Sequence, residues 1–309
     1  MEANVRNDRK VFIGFQLLLI ILIFGLISII YKTNDKIKDK QLNYLNMKIK
    51  YENNNSTIKE LNNKKNELLG IYNNKQSNNY YKEEFFKKVL ELENKIIAGE
   101  SNIKIAYVTF DDGPYYNTYK VLDILDKYNI KATFFTTSIN GTYCYDKKTY
   151  NCLELYKEYA KRGHTIANHT YTHAIRKGLY ASVDSFIRAL KKQEERVKEL
   201  SGGYVTNIVR FPGGSRSSGK LKNEIISELK KLNYGWVDWN GFDGDGGMLK
   251  SKTEAWKNMK ASIDEPIEVI LFHDYSKITT SLLPEFIEFL QNKGYILLPL
   301  FYESNMINK

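Results

Sequence analysis

The chain has 309 residues, of which 42% are apolar and 27% charged. It can therefore form a full hydrophobic core, and its composition excludes a low-complexity or fibrous protein. A formal net charge of +10 favours a polyanionic neighbour such as anionic lipid, a cell-wall polymer or nucleic acid. Two cysteines, Cys144 and Cys152, exclude a disulfide-dense module and a four-cysteine zinc site, and leave open whether the two are bridged.

The first predicted element is a transmembrane helix over residues 11–31. This stretch, VFIGFQLLLIILIFGLISIIY, contains no charged residue, and at 1.5 Å per residue it can cross roughly 30 Å of hydrocarbon. The alternative is a cleaved signal peptide, but the apolar core of such a peptide usually runs only about 7 to 15 residues. We therefore expect a retained single-pass anchor. Basic residues lie on both sides of the segment, so their count does not set its orientation.

Residues 32–100 are rich in Lys and Asn and carry three short amphipathic stretches, the last with apolar residues at Phe85, Val89, Leu92 and Ile96. These stretches are too short and broken for a coiled coil, which requires about three to four uninterrupted heptads. We expect a solvated helical stalk that acts as a linker. A stalk that dimerises is the alternative interpretation.

From Lys104 onward, short β-branched and aromatic runs alternate with helical patterns. The predicted strands are Ile105 to Phe110, Ala132 to Thr136, His164 to Ala167, Ile208 to Phe211, Gly235 to Trp239, Val269 to Phe272 and Ile296 to Leu300. The predicted helices are Thr118 to Tyr128, Leu153 to Arg162, Val183 to Leu200, Leu221 to Leu232, Glu254 to Ile263 and Leu283 to Asn292. This alternation predicts an α/β fold of parallel strands, either an open sheet or a (β/α) barrel. In both, the carboxyl ends of the strands form the functional face.

Chemically useful side chains follow several of these strands. Asp111 and Asp112 end the first, His169 and His173 follow the third, and His273 ends another apolar strand. Two histidines four residues apart can bind one metal ion. Taken singly, Asp-Asp-Gly-Pro also fits an ordinary turn, and the histidine pair also fits surface or core positions.

Two further segments follow predicted strands. The first is Arg210-Phe211-Pro212-Gly213-Gly214, which lacks the Gly-Lys-Ser of a nucleotide-binding loop. The second runs from Asp238 to Asp245. Asp243 and Asp245 in it suggest a calcium loop, but Met248 occupies the position that requires glycine, which excludes one.

Taken in their order along the chain, the five strand-end segments resemble the polysaccharide deacetylase family, also called carbohydrate esterase family 4 or the NodB homology domain. The resemblance spans residues 101–309 and implies a distorted (β/α) barrel. It implies that Asp111 is the catalytic base, oriented by Arg210, and that His273 is the general acid, partnered by Asp245. It further implies a divalent metal, zinc first and Co, Fe, Mn or Ni as alternatives, bound by Asp112, His169 and His173. The implied substrate-binding residues are Pro212, Gly213, whose amide would face the oxyanion, and Leu271, which would line the acetyl pocket.

The chain departs from the family pattern in two places. Gly213 stands where many members have a tyrosine, and Phe242 and Gly246 stand where the family usually has an aspartate and a tryptophan. Trp239 or Trp236 is a candidate for the missing wall of the substrate site. Asp238 is a second candidate for the partner of His273.

The resemblance implies a hydrolase that removes N-acetyl groups from an amino-sugar polymer. With the anchor, it places residues 1–10 in the cytoplasm and the catalytic domain outside the cell membrane, where peptidoglycan N-acetylglucosamine is the first expected substrate. The alternatives are N-acetylmuramic acid, a chitin-like or other acetylated glycan, O-deacetylation, and a catalytically silent glycan-binding scaffold. A nucleic-acid partner is not expected, because a membrane span and an acidic cluster do not fit a basic groove.

Overall fold

The computed structural model describes residues 80–138, 152–203 and 207–300, with four single positions nearer the N-terminus, Thr33, Lys59, Asn63 and Lys64. The chain divides into two units, residues 1–60 and 61–309, and the elements below belong to the second. The predicted transmembrane helix over residues 11–31 and nearly all of the predicted stalk up to residue 79 lie outside the described residues. Within the described ranges, no helix combines the length and apolarity needed to cross a membrane.

The described part of this unit alternates strands and helices, as predicted. The helices are α1 (Tyr80–Ile97), α2 (Thr118–Lys127), α3 (Leu155–Lys161), α4 (Val183–Ser201), α5 (Lys222–Lys231), α6 (Lys252–Ser262) and α7 (Lys277–Asn292). The strands are β1 (Lys104–Asp111), β2 (Thr133–Thr136), β3 (Thr165–Asn168), β4 (Ile208–Val209), β5 (Gly235–Trp236), β6 (Gly241–Phe242), β7 (Ile267–His273) and β8 (Tyr295–Leu298). Short 3-10 segments occur at Cys152–Glu154, Ile175–Lys177 and Ser215–Leu221.

All described strand pairs are parallel, in the order β5-β4-β3-β2-β1-β7-β6. Strand β1 pairs with β7 on one edge. On its other edge, its first half (104–107) pairs with β8 and its last three residues (109–111) pair with β2. This change of partner along one strand curls the sheet into a half-barrel, the form that the predicted (β/α) barrel takes here. The carboxyl ends of β1 and β7 are in register, so Asp111 is the sheet neighbour of His273.

Both faces of the sheet are buried, which explains why its strands are nearly continuous apolar runs. Side chains alternate along β1, since successive residues of a strand point to opposite faces. Ile105 and Tyr107 join the cluster on the concave face, whereas Val108 and Phe110 pack with Phe286 of α7 in the cluster beneath the helices.

Helix α1 differs from the solvated spacer that the sequence predicts for residues 32–100. Four of its apolar residues, Phe85, Val89, Leu92 and Ile96, are between 0% and 5% exposed and join the concave-face cluster with Ile105, Tyr107 and Ile296. Glu93 is also buried and accepts a hydrogen bond from the hydroxyl of Tyr107. The amphipathic period is therefore that of a helix packed on the sheet, and the packed domain begins before residue 101.

Two other boundaries of strands and helices differ from the sequence prediction. The strand predicted over 235–239 is shorter in the structure and ends at Trp236 as β5, which pairs with β4. The chain then forms β6 at 241–242, which was not predicted and pairs with β7. Helix α7 begins at Lys277, where Ser276 Oγ accepts the amide of Thr279, and it continues through Pro284. The sequence prediction began it at Leu283.

The sequence leaves open whether the two cysteines are bridged, and the structure gives the bonding state of one of them. Cys152 is disulfide-bonded. Cys144, the other cysteine of the sequence, lies outside the described residues.

Candidate active site and metal centre

The first functional pair joins the end of β1 to the residue that follows β4. The buried Arg210 guanidinium donates from Nη1 to Asp111 Oδ1 at 2.8 Å and to Thr109 Oγ1 at 2.7 Å. Its Nη2 donates to the backbone oxygen of Asp238, and its Cζ lies 4.2 Å from the centroid of the Phe135 ring. These contacts from several strands hold the guanidinium in one orientation, and with it the Asp111 carboxylate, as the sequence prediction requires.

Next to this pair, Asp112, His169 and His173 form a cluster with the geometry of a metal site. One ligand atom from each lies within 4.8 Å of the others. His173 Nε2 is 3.5 Å and His169 Nε2 is 3.7 Å from Asp112 Oδ1. His169 Nε2 also lies 3.6 Å from Asp111 Oδ2. The three predicted ligands are therefore brought together, with the predicted base beside them.

The hydrogen bonding of His169 suits it to bind a cation. Its Nδ1 lies 2.8 Å from the backbone oxygen of Arg210, which can only accept a hydrogen bond, so Nδ1 carries the proton and Nε2 presents its lone pair to the cluster. Burial lowers the pKa of His169, although the charges of Asp111 and Asp112 oppose the shift. A neutral imidazole is the form that binds a metal, so the donor set fits a divalent cation.

The backbone around the ligands adopts unusual conformations. Asp112, Thr170 and His173 have φ values of 69°, 63° and 48°, in the left-handed region that non-glycine residues seldom occupy. Asn168 Oδ1 accepts the amide of Thr170 at 2.8 Å and stabilises this turn. Strained residues persist where the surrounding structure holds them, and they are common at functional sites.

On the other side of the cluster, His273 is paired with Asp245. His273 Nδ1 lies 2.7 Å from Asp245 Oδ1, and the backbone amide of His273 donates to Asp245 Oδ2 at 2.7 Å. Burial opposes the imidazolium, but the hydrogen bond and charge of Asp245, with the charges of Asp111 and Asp112, outweigh it and raise the pKa of His273 to about 9. His273 Nε2 faces the cluster, 3.8 Å from Asp112 Oδ2.

The alternative partner, Asp238, has a different role. Its two carboxylate oxygens accept the backbone amide and the hydroxyl of Ser215, at 2.9 and 2.6 Å. Asp238 therefore fixes the loop that contains Gly213 and Gly214, and Asp245 is the partner of His273.

The predicted substrate-binding residues lie around this centre. Gly213 has a φ of 72°, in the left-handed region, and a Cβ there would lie 2.8 Å from Ser217 Oγ and 3.0 Å from Ile175 Cδ1. A larger residue at this position would therefore be strained unless these side chains moved. The backbone oxygen of Pro212 accepts from Tyr180 Oη at 2.8 Å. Leu271 is 8% exposed, beside Thr109 of β1 and two residues before His273.

The second departure from the family pattern also has a steric basis. A Cβ at Gly246 would lie 2.8 Å from His273 Cε1, so a larger residue cannot be placed there without moving the imidazole. Trp239, the candidate for the missing wall, lies against the loop of Gly213 and Gly214, with its Cη2 3.1 Å from the place of a Cβ at Gly214. Phe242 is 40% exposed.

Two residues beside the site, Asp274 and Tyr275, were missed by the sequence prediction. Asp274 is fully buried behind the turn at Gly113, accepts from the Thr118 hydroxyl, and has its pKa raised by burial to about 7. The Tyr275 ring centroid lies 5.0 Å from that of His273. The local sequence pattern, a hydrophobic strand followed by His-Asp-Tyr, is only a weak signal for these two residues. Their contacts come from α2 and from the turn after β1, which are far away in the sequence.

Comparisons with known proteins agree with this geometry. The family model for polysaccharide deacetylase matches residues 98–236. The chain is 30% identical to the peptidoglycan-N-acetylmuramic acid deacetylase of Bacillus subtilis over 67% of its own length and 74% of the relative's. It is 29% identical to a peptidoglycan-N-acetylglucosamine deacetylase of Bacillus cereus over 62% and 67% of the two lengths.

A solved structure shows the same fold. The catalytic domain of peptidoglycan N-acetylglucosamine deacetylase from Eubacterium rectale superposes with a TM-score of 0.60 at 31% identity, over 67% of this chain and 93% of that one. The curled parallel sheet, the strand-end residues and these relatives together identify the chain as a hydrolase that belongs to the polysaccharide deacetylase family.

Proposed function

We propose that this chain is a metal-dependent N-deacetylase of an amino-sugar polymer, with peptidoglycan N-acetylglucosamine as its first substrate. The observation that carries the proposal is the position of the Asp112, His169 and His173 cluster between two paired groups, Asp111 with Arg210 and His273 with Asp245. Amide hydrolysis needs a base for water and an acid for the leaving amine. This site offers one on each side of the cluster.

The proposed metal ligands are Asp112, His169 and His173. A divalent cation bound there supplies Lewis-acid polarisation of the acetyl carbonyl and lowers the pKa of water. Two imidazoles and one carboxylate are a ligand set of zinc hydrolases, and zinc is the ion we propose. The same set also binds Fe(II), so metal analysis of the purified protein is part of the test.

The chain's own groups would divide the remaining work. Asp111, held by Arg210 through Oδ1, would take the proton of the attacking water through its other oxygen, Oδ2, which faces the cluster. His273, held as an imidazolium by Asp245, would protonate the departing nitrogen from Nε2, which also faces the cluster. The amide of Gly213 would donate to the developing oxyanion, and Leu271 would contact the acetyl methyl group.

The test is acetate release by the purified full chain from N-acetylated peptidoglycan, with added zinc and with a chelator. We expect release with zinc, none with the chelator, and a loss of at least about 100-fold for Asp111→Asn, because removal of a general base costs about 10²–10⁴-fold. Asp184→Asn, on the exposed face of α4, is the matched control and should keep full activity.

Two outcomes would change the proposal. Activity that survives complete metal removal would refute the metal-dependent mechanism. A folded, metal-loaded chain that releases no acetate from peptidoglycan, chito-oligomers or acetylated xylan would favour the catalytically silent glycan-binding scaffold. Comparison of N-acetylglucosamine, N-acetylmuramic acid and O-acetylated substrates identifies the sugar and the bond.

We also propose that residues 11–31 anchor the chain in the cell membrane as a single pass, with residues 1–10 cytoplasmic and the catalytic domain outside. The uncharged segment supports this, and so does the disulfide at Cys152, because disulfides persist mainly in oxidising compartments. Membrane fractionation of the full chain, and protease digestion of intact cells, test the proposal. Digestion of the catalytic domain only after lysis would refute the orientation.

A further inference from the structure

A second carboxyl group, Asp243, lies behind the pair formed by Asp245 and His273. It belongs to the loop after β6, and the first turn of α7 covers it with Thr279. Asp243 is fully buried, Thr279 is 1% exposed and Asp245 is 5% exposed. No salt bridge joins Asp243 to a basic side chain within the described ranges of the chain.

Thr279 Oγ1 contacts three oxygen atoms. It lies 2.7 Å from Asp243 Oδ2, 2.8 Å from Asp245 Oδ2 and 2.8 Å from Ser276 Oγ. The other oxygen of Asp243, Oδ1, accepts the backbone amide of Asp245 at 3.0 Å. Both carboxyl groups are thus bonded to the same hydroxyl group.

If both carboxyl groups are ionised, this arrangement has one hydrogen atom fewer than its hydrogen bonds require. A threonine hydroxyl has one hydrogen, so it can donate to only one of the two carboxylate oxygens. The other contact would then bring two oxygen lone pairs within 2.8 Å without a hydrogen between them, beside a like charge in a buried site. One additional proton removes the conflict.

That proton belongs on Asp243. Asp245 faces the imidazole of His273 and accepts its backbone amide, and both contacts favour a carboxylate. Asp243 accepts one backbone amide and has Asp245 as a charged neighbour, so burial and the charge of Asp245 raise the pKa of Asp243 to about 7. The other side chains bonded to it are neutral: Thr279 of α7 contacts its carboxyl group, and Asn258 of α6 donates to its backbone oxygen.

We infer that Asp243 is a neutral carboxyl group in the resting protein and acts through Thr279 to hold Asp245 as the anionic acceptor of His273. Asp243 Oδ2–H donates to Thr279 Oγ1, Thr279 Oγ1–H donates to Asp245 Oδ2, and Asp245 Oδ1 accepts from His273 Nδ1. Asp243 and Thr279 are positioning residues for the general acid, so the inference rests on the proposed role of His273.

The arrangement has two consequences for His273. It places one negative charge, rather than two, behind the imidazole. It also fixes the Asp245 carboxylate by hydrogen bonds from β7 and from α7, so that the imidazole is held with Nε2 towards the metal cluster.

The test uses the zinc-loaded full chain with ¹⁵N-labelled histidine and the variants Asp243→Asn, Thr279→Val and Thr279→Ser. Asparagine carries an N–H where the protonated carboxyl carries an O–H. We therefore expect Asp243→Asn to leave the His273 titration midpoint within about 0.3 units and kcat within about threefold. Thr279→Val removes the hydroxyl and should abolish the Nδ1–H signal of His273 and lower kcat about tenfold, with KM unchanged. Thr279→Ser should restore both.

An ionised Asp243 would give a different result. Asp243→Asn would then remove a negative charge near the imidazole and lower the His273 midpoint by about one unit or more, which would overturn the inference. A Thr279→Val variant with an unchanged Nδ1–H signal and unchanged kcat would also overturn it. The NMR measurement needs no turnover, so an inactive chain with an unchanged His273 midpoint in Asp243→Asn would refute the proposed function and leave this proton assignment standing.

Discussion

The packing of helix α1 against the sheet predicts that Phe85→Ala destabilises the catalytic domain. The Phe85 side chain is fully buried in the concave-face cluster with Ile105, Tyr107 and Ile296. If residues 32–100 were a solvated stalk throughout, as their composition suggests, the substitution would have almost no effect on folding.

The size of the effect follows from burial. Replacing a buried phenylalanine with alanine costs about 3–5 kcal/mol, a large part of the roughly 5–15 kcal/mol that stabilises a typical domain. For a domain of this size, 1 kcal/mol shifts Tm by about 2–4 °C. We therefore expect Phe85→Ala to lower Tm by about 6–20 °C.

The assay is thermal unfolding of the full chain followed by circular dichroism, in the same detergent for every variant. Lys87→Ala is the matched control, because Lys87 lies on the exposed face of the same helix, and surface substitutions usually stay within about 0.5 kcal/mol. A shift of less than 2 °C for Phe85→Ala would refute the packing of α1 on the sheet. A chain that begins at residue 101 should show the same defect more severely, since it loses Phe85, Val89, Leu92 and Ile96 together.

Three other changes test the site and the core. Gly246→Ala places a Cβ 2.8 Å from His273 Cε1 and should lower kcat about 10- to 100-fold at nearly unchanged Tm; an unchanged kcat would show that the imidazole can move freely. Activity should fall as pH rises through about 9, because His273 must be protonated to act as an acid and its pKa is raised to about that value; a rate that stays constant to pH 10.5 would exclude His273 as the acid. Burial raises the pKa of Glu268 from its ordinary 4.5 to about 7, and its Oε2 has no hydrogen-bond partner. The stability contributed by the raised pKa is present below pH 4.5 and lost as pH rises through 7, so Glu268→Gln should be more stable than the wild type at pH 8 by on the order of 3 kcal/mol and should show no such gain at pH 4, measured by urea unfolding; equal differences at the two pH values would contradict the argument.

Much of the fold was predictable because its signals are local. Alternating strand and helix patterns from Lys104 onward predicted parallel strands, and the observed sheet pairs them in that way. The boundaries were less predictable. The last helix was predicted to begin at Leu283, whereas the capping contact of Ser276 with Thr279 begins α7 several residues earlier.

The candidate site was predictable in its residues but not in all of its partners. Parallel strands bring their carboxyl ends to one edge of a sheet, so Asp111, the histidine pair and His273 could be expected to meet wherever the exact boundaries fell. The choice between Asp238 and Asp245 as the partner of His273 could not be made from spacing, because both belong to the same strand-end segment, residues 238–245. The structure assigns Asp238 to Ser215 and Asp245 to His273.

The amino-acid sequence by itself therefore determined the α/β class, the strand-end chemistry and the order of the functional segments, since each depends on short-range pattern and on the common direction of parallel strands. Only the tertiary structure decided that α1 packs on the concave face, and that Thr279 links Asp243 to Asp245 from 36 and 34 residues away. Such contacts depend on register and on the packing of distant elements. Amphipathic spacing predicts that a helix buries one face, but not the surface that covers it.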